Sequence, residues 1–127
     1  MAYSNYNDNK GFPYSNLNKA LTPMLLLSAL ELQPMYINEI VTMLEKESNG
    51  VYKTSYPYDI VYQLTENDYI IPTKKIQKDG RRRQLYMLSD KGKKYLDLLL
   101  ADYKRYISGI EMLTNYIDTN KNNAEDK

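Results

Sequence analysis

The chain contains neither cysteine nor histidine. Thiol nucleophiles, disulfides, Cys/His zinc sites and imidazole acid–base chemistry are therefore excluded. Carboxylates, amines and the phenols of 14 tyrosines remain. Asp59 and Glu66 are seven residues apart, about two turns along one helix face, but no metal-ligand cluster accompanies them. A small chain without the two commonest catalytic side chains is not expected to be an enzyme, and no cofactor or metal is expected. The strongest chemical signal is charge. From Lys74 to Lys94 nine basic residues (Lys74, Lys75, Lys78, Arg81, Arg82, Arg83, Lys91, Lys93, Lys94) stand against only Asp79 and Asp90. That window carries +7 in a chain of net charge +1, which leaves −6 for the rest. Three adjacent arginines repel one another unless a polyanion neutralises them, so the block suits nucleic-acid phosphates.

The elements that must position this block are few. At 127 residues the chain fits one domain with a single core. No run approaches the roughly 20 apolar residues of a membrane span. The start lacks the charged-then-apolar order of a signal peptide, so a cytoplasmic protein without membrane contact is expected. Residues 1–16 are polar and aromatic, with Gly11 and Pro13, and read as a flexible arm whose Tyr3, Tyr6, Phe12 and Tyr14 could pack on a partner subunit. Thr22-Pro23 reads as the start of a first helix, apolar nearly all round from Met24 to Leu32 and stopped by Gln33-Pro34. A second helix over about 35–48 buries Ile37, Ile40, Val41 and Leu44, and Asn49-Gly50 stops it. A third covers about 56–67, with Ser55 as cap, Pro57 in its first turn and Ile60, Val61 and Leu64 inward.

Two extended runs follow, Tyr69–Gln77 and Gln84–Leu88, joined by Lys78-Asp79-Gly80-Arg81-Arg82-Arg83. Asp-Gly between extended segments signals a hairpin, because the turn needs positive φ. Its tip is thus the most basic stretch of the chain. Ser89 caps a last helix with Leu96, Leu99, Tyr103, Tyr106, Ile110, Leu113 and Ile117 at alternating steps of three and four, a coiled-coil seam that Leu100 and Ile107 widen. A helix reaching Ile117 is too long for three short helices to cover, so part of the seam is expected to meet another chain. The expected fold is mainly α with a small β-hairpin: a winged helix-turn-helix over 17–88, a dimerisation helix over 89–117 and a disordered tail over 118–127.

In that layout the third helix enters the major groove of double-stranded DNA while the hairpin lies along neighbouring phosphates or the minor groove. The third helix has no Lys or Arg. Ser55, Tyr56, Tyr62 and Gln63 are its available reading groups, with Lys53 just before it. Affinity is expected mostly from Lys74, Lys75, Lys78, Arg81, Arg82 and Arg83, with Lys93 and Lys94 as further phosphate candidates. The competing expectation is a protein-interaction module that holds an acidic partner.

The chain resembles the PadR family of transcriptional regulators over about residues 20–117, in its short subfamily with a single C-terminal helix. The resemblance rests on Leu25-Leu26-Leu27-Ser28-Ala29-Leu30, on Glu47-Ser48-Asn49-Gly50, on Tyr58, and above all on the stretch from Asp79-Gly80-Arg81-Arg82-Arg83 to Leu88-Ser89-Asp90-Lys91-Gly92. That stretch is similar to the family's Gly-Arg-Arg-Lys-Tyr-Tyr-x-Leu-Thr-x-x-Gly wing. The family's His-Gly-Tyr is replaced by Tyr36-Ile37-Asn38, and its Thr-Leu-Tyr-Pro by Tyr56-Pro57-Tyr58-Asp59. The basic hairpin, the helix pair and the heptad helix together lead to the expectation of a homodimeric repressor on a pseudo-palindromic operator. The resemblance implies a small-molecule effector site between subunits, with Tyr103 as stacking surface and Met24, Leu99 and Ile107 as apolar wall.

Overall fold

A computed structural model describes residues 14–125. The elements are α1 (Tyr14–Leu30), β1 (Met35–Tyr36), α2 (Ile37–Glu47), α3 (Tyr58–Glu66), β2 (Ile70–Lys78), β3 (Arg81–Leu88) and α4 (Asp90–Glu125). This is the expected winged helix with a long last helix. The chain divides after Leu96 into two compact units.

In the first unit the hairpin is one strand richer than expected. The antiparallel sheet runs β1-β3-β2, with Met35 opposite Tyr86 and Tyr36 opposite Leu85. Met35 and Tyr36 therefore do not begin the second helix, which starts at Ile37. The turn between β2 and β3 shrinks to Asp79-Gly80, both at positive φ (55° and 75°), with Lys78 and Arg81 paired across it. The three arginines are consequently strand residues of β3, not loop residues. The register slips between Pro72 and Lys75, where proline has no N–H to give the ladder.

The helices pack Leu26, Leu27, Leu30, Ile37, Ile40, Val61 and Leu64 into one core with Ile70 of the sheet. α1 begins at Tyr14 and carries Pro23 in its interior, so Thr22-Pro23 is not a helix start. Thr22 is buried, and its hydroxyl donates to the Asn18 carbonyl (2.7 Å) four residues back instead of capping. Tyr52 in turn donates its hydroxyl to Thr22 Oγ1 (2.6 Å), and the Asn18 amide donates to the Lys53 carbonyl (2.8 Å). These bonds tie the segment before α3 to α1. Of the expected arm, residues 14–16 are helical; Tyr3, Tyr6 and Phe12 lie outside the described residues. α3 starts at Tyr58, two residues later than expected, and Ser55 does not cap it: Pro57 is the flanking residue and makes no side-chain cap bond. A residue before proline avoids the helical region, which keeps Tyr56 out of the helix.

Burial pushes the Tyr52 phenol above its ordinary 10.0, outweighing its hydrogen bonding with Thr22 and Thr54, which pulls it down. The folded chain thus holds this proton more tightly than the unfolded chain. The contribution is complete below about pH 10 and is lost as pH rises beyond it. Tyr52→Phe is expected to cost about 1 kcal/mol at neutral pH and to flatten this alkaline fall. Urea denaturation midpoints on both sides of pH 10 check it.

The start of α4 is fixed by Ser89. Its backbone N–H donates to the Tyr69 carbonyl (3.1 Å), and its Oγ accepts from the Gly92 N–H (2.9 Å) and donates to the Asp68 carbonyl (2.5 Å). Tyr95 stacks on Tyr69 with centroids 4.2 Å apart. Leu96, counted above as the first seam residue, is 0% exposed and belongs to the core of its own chain, so it is not available to a second one. In the second unit the helix continues past Ile117 to Glu125, where a disordered tail was expected. Its seam residues Tyr103, Tyr106, Ile110, Leu113 and Ile117 are all exposed.

Candidate nucleic-acid interface

Strand alternation sorts the wing. Opposite pairs are Lys78 with Arg81, Gln77 with Arg82, Ile76 with Arg83 and Lys75 with Gln84. Side chains two apart share a face. Arg82 and Gln84 therefore lie on the face that, at the base of the sheet, carries Tyr86, Leu88 and the buried Met35 and Ile70. Arg81, Arg83, Ile76 and Lys78 lie on the other face, together with Leu85 and Tyr36. Lys74, Lys75, Lys78, Arg81 and Arg82 are all exposed, and Arg83 is half-buried.

A hollow of about 180 Å³ joins the wing to the start of α2 and the turn before α3. Arg82, Arg83 and Gln84 line it from β3, Tyr36 and Asn38 from the β1–α2 junction, and Tyr56 from the turn. No carboxylate lines it. Burial raises the Tyr56 phenol above its ordinary value, and neighbouring Tyr86 and Tyr58 add to the effect. Tyr56 therefore keeps its proton and has a hydroxyl able to donate in a hollow that two arginines also line. An oxyanion is the chemistry this hollow fits.

On α3, Val61 and Leu64 face the core, which turns Asp59, Tyr62, Gln63 and Glu66 outward at helical spacing. Tyr62 is 65% exposed. Of the reading groups expected from sequence, Tyr62 and Gln63 thus share one open face, flanked by two carboxylates. Ser55 is separated from the wing hollow: it lines a different recess of about 370 Å³ with Ser15 and Lys19 of α1. Lys53 is exposed and lies 3.9 Å from Glu45. Lys93 is bound to Glu31 at 2.6 Å, which spends its charge within the chain. Tyr36, Asn38 and Gln84 also line the hollow and were not among the residues expected from sequence. Only the pairing of β1 with β3 brings the first two to the wing. Among the described residues no cluster of three carboxylates is placed to hold a metal ion, and no helix is long and apolar enough to cross a membrane.

Of the residues expected to bind an effector, Met24 is half-buried on α1 in the first unit. Leu99 is half-buried and Tyr103 and Ile107 are exposed on the second.

The family profile described as "Transcriptional regulator PadR-like family" matches residues 26–98, more than half of the chain. Among solved structures, a PadR-family transcriptional regulator from Eggerthella lenta is 20% identical with a TM-score of 0.70, covering 85% of this chain and 94% of its own. A PadR-like transcriptional regulator from Bacillus cereus is 21% identical with a TM-score of 0.65, covering 77% and 95%. The circadian clock associated protein Pex from Anabaena is 25% identical with a TM-score of 0.58, covering 71% and 80%. Among curated proteins nothing matches the chain.

Proposed function

Because the chain belongs to the PadR-like family of transcriptional regulators, we propose that it is a cytoplasmic homodimeric repressor that grips double-stranded DNA with α3 and the basic wing. The observation that carries this reading is the hollow in which Tyr56, at the entry to α3, and Arg82 of the wing converge without a carboxylate. One duplex bridges both elements: Tyr62 and Gln63 read base edges, while Lys74, Lys75, Lys78, Arg81 and Arg82 hold phosphates. With Asp59 and Glu66 flanking the reading groups, α3 contributes modest discrimination, and DNA shape supplies part of the rest.

Two copies pair through α4, matching the twofold symmetry of a pseudo-palindromic operator. The exposed seam from Tyr103 to Ile117, with half-buried Leu99 before it, supplies the interface. Leu113→Glu with Ile117→Glu is expected to yield monomers by sedimentation at concentrations where the parent protein is dimeric, and to weaken operator binding. A small aromatic or apolar effector stacks on Tyr103 beside Leu99 and Ile107, and shifts the spacing of the two wings by its differential affinity for the two states.

The alternative, a module for an acidic protein partner, draws on the outward carboxylates of α3, which repel phosphate. A titration with random duplex at low salt separates the readings. Binding at micromolar protein supports the DNA reading, and its absence supports the module.

A further inference from the structure

The arginine run is not one binding block. Past Tyr36–Leu85 the wing loses β1 as a neighbour, because Ile37 already belongs to α2. Residues 81–84 therefore overhang on that side, and their angle to α2 is not set by backbone pairing. A side-chain contact spans the gap: the Arg83 guanidinium lies over the Tyr36 ring, 5.1 Å from its centroid. Tyr36 is itself held by its pairing with Leu85 and by the buried Ile37 that follows it. Arg83 Nε is shielded from solvent and has no hydrogen-bond partner among the described residues. Beyond it, on the α2 side, an open groove of about 560 Å³ is lined by Glu39, Glu47 and Asp79 against Lys46 and Arg83. Three carboxylates make that side unfavourable for a phosphate, so Arg83, which borders both recesses, has acidic neighbours on one side, whereas Arg82 lines only the carboxylate-free hollow.

We infer that Arg83 is a positioning residue: stacked on Tyr36, it sets the angle of the wing to α2 and so aims Arg82 at the DNA. This rests on the DNA-binding reading above. Removing the clamp lets the overhang swing, so DNA affinity falls while the number of phosphates neutralised stays the same. A direct phosphate contact behaves differently, because each one lost reduces the slope of log affinity against log salt by about 0.9.

The test is a salt series of duplex binding for single variants of the full chain. Arg82→Ala is expected to reduce the slope by about one. Arg83→Ala and Tyr36→Leu are each expected to lower affinity about two- to fivefold with the slope unchanged, and their combination to add little to either alone. Tyr36→Phe keeps the ring under the guanidinium and is expected to keep the parent's slope and to lower affinity less than Tyr36→Leu. Tyr36→Leu leaves the Arg83 charge intact, so its effect distinguishes a clamp from a contact. A slope lowered by Arg83→Ala, or parent-like binding by Tyr36→Leu, overturns the inference. An unchanged slope in Arg82→Ala contradicts instead the wing's part in DNA binding.

Discussion

Replacing Arg81 and Arg82 together with alanine is expected to weaken binding to every duplex, specific or random, by about tenfold or more. The slope of log affinity against log salt is expected to fall by about 1 to 2. Both side chains are exposed in β3, and both stand within the +7 window. They sit on opposite faces of the strand, so one follows each side of the hairpin tip, and both are exposed. The loss is uniform across sequences because phosphates carry no base identity. Tyr62→Ala with Gln63→Ala is the informative contrast: it lowers discrimination between operator and random duplex and leaves the salt slope near that of the parent. Binding isotherms at several salt concentrations read both outcomes.

The largest effect on stability is expected from Gly92→Ala. A Cβ at this position falls 2.0 Å from the Tyr69 carbonyl oxygen and 2.8 Å from Leu88 Cδ1. The carbonyl cannot retreat easily, since it accepts from the Ser89 N–H, and Tyr69 is held in its stack with Tyr95. The first turn of α4 must shift, which strains the Ser89 cap. About 3 kcal/mol is the expected loss, read as a lowered urea midpoint at unchanged slope. Gly109→Ala, in the same helix with nothing within 4 Å, is expected to gain about 0.5–1 kcal/mol from helix propensity. Glycine in the family-like wing stretch therefore has a packing cause: the backbone of α4 passes against the end of α3 and the start of β2 with no room for a side chain.

Local chemistry explains which elements were legible in the sequence. Asp79-Gly80 announced the hairpin because only such a pair takes two positive φ values in succession. The inner face of α2 was legible because Ile37 and Ile40 repeat at helical spacing and are buried. β1 was not, since two residues have no periodicity and Met35–Tyr36 exist as a strand only by pairing with β3. The start of α1 was hidden for another reason. Asn18 and Thr22 look like surface or cap residues, yet their polar atoms are buried against the Lys53 carbonyl and the Tyr52 hydroxyl. Pro23 then reads as a beginning although it lies inside. Leu96 fits the seam by spacing, but its environment is tertiary. At the interface, the basic residues were evident from charge alone. Their division between two faces was not, because parity depends on β3 beginning at Arg81.

In the proposed complex α3 and the wing hold a single duplex in each half of a dimer. The chain has no cysteine, so Gln77→Cys, opposite Arg82, and Glu66→Cys, on the open face of α3, each provide a unique attachment point for a DNA-cleaving iron chelate. On a duplex carrying the operator, cuts from the two positions are predicted to fall within one helical turn of each other and to repeat about a twofold axis. Cuts from only one position, or none above those of free chelate, would contradict the account.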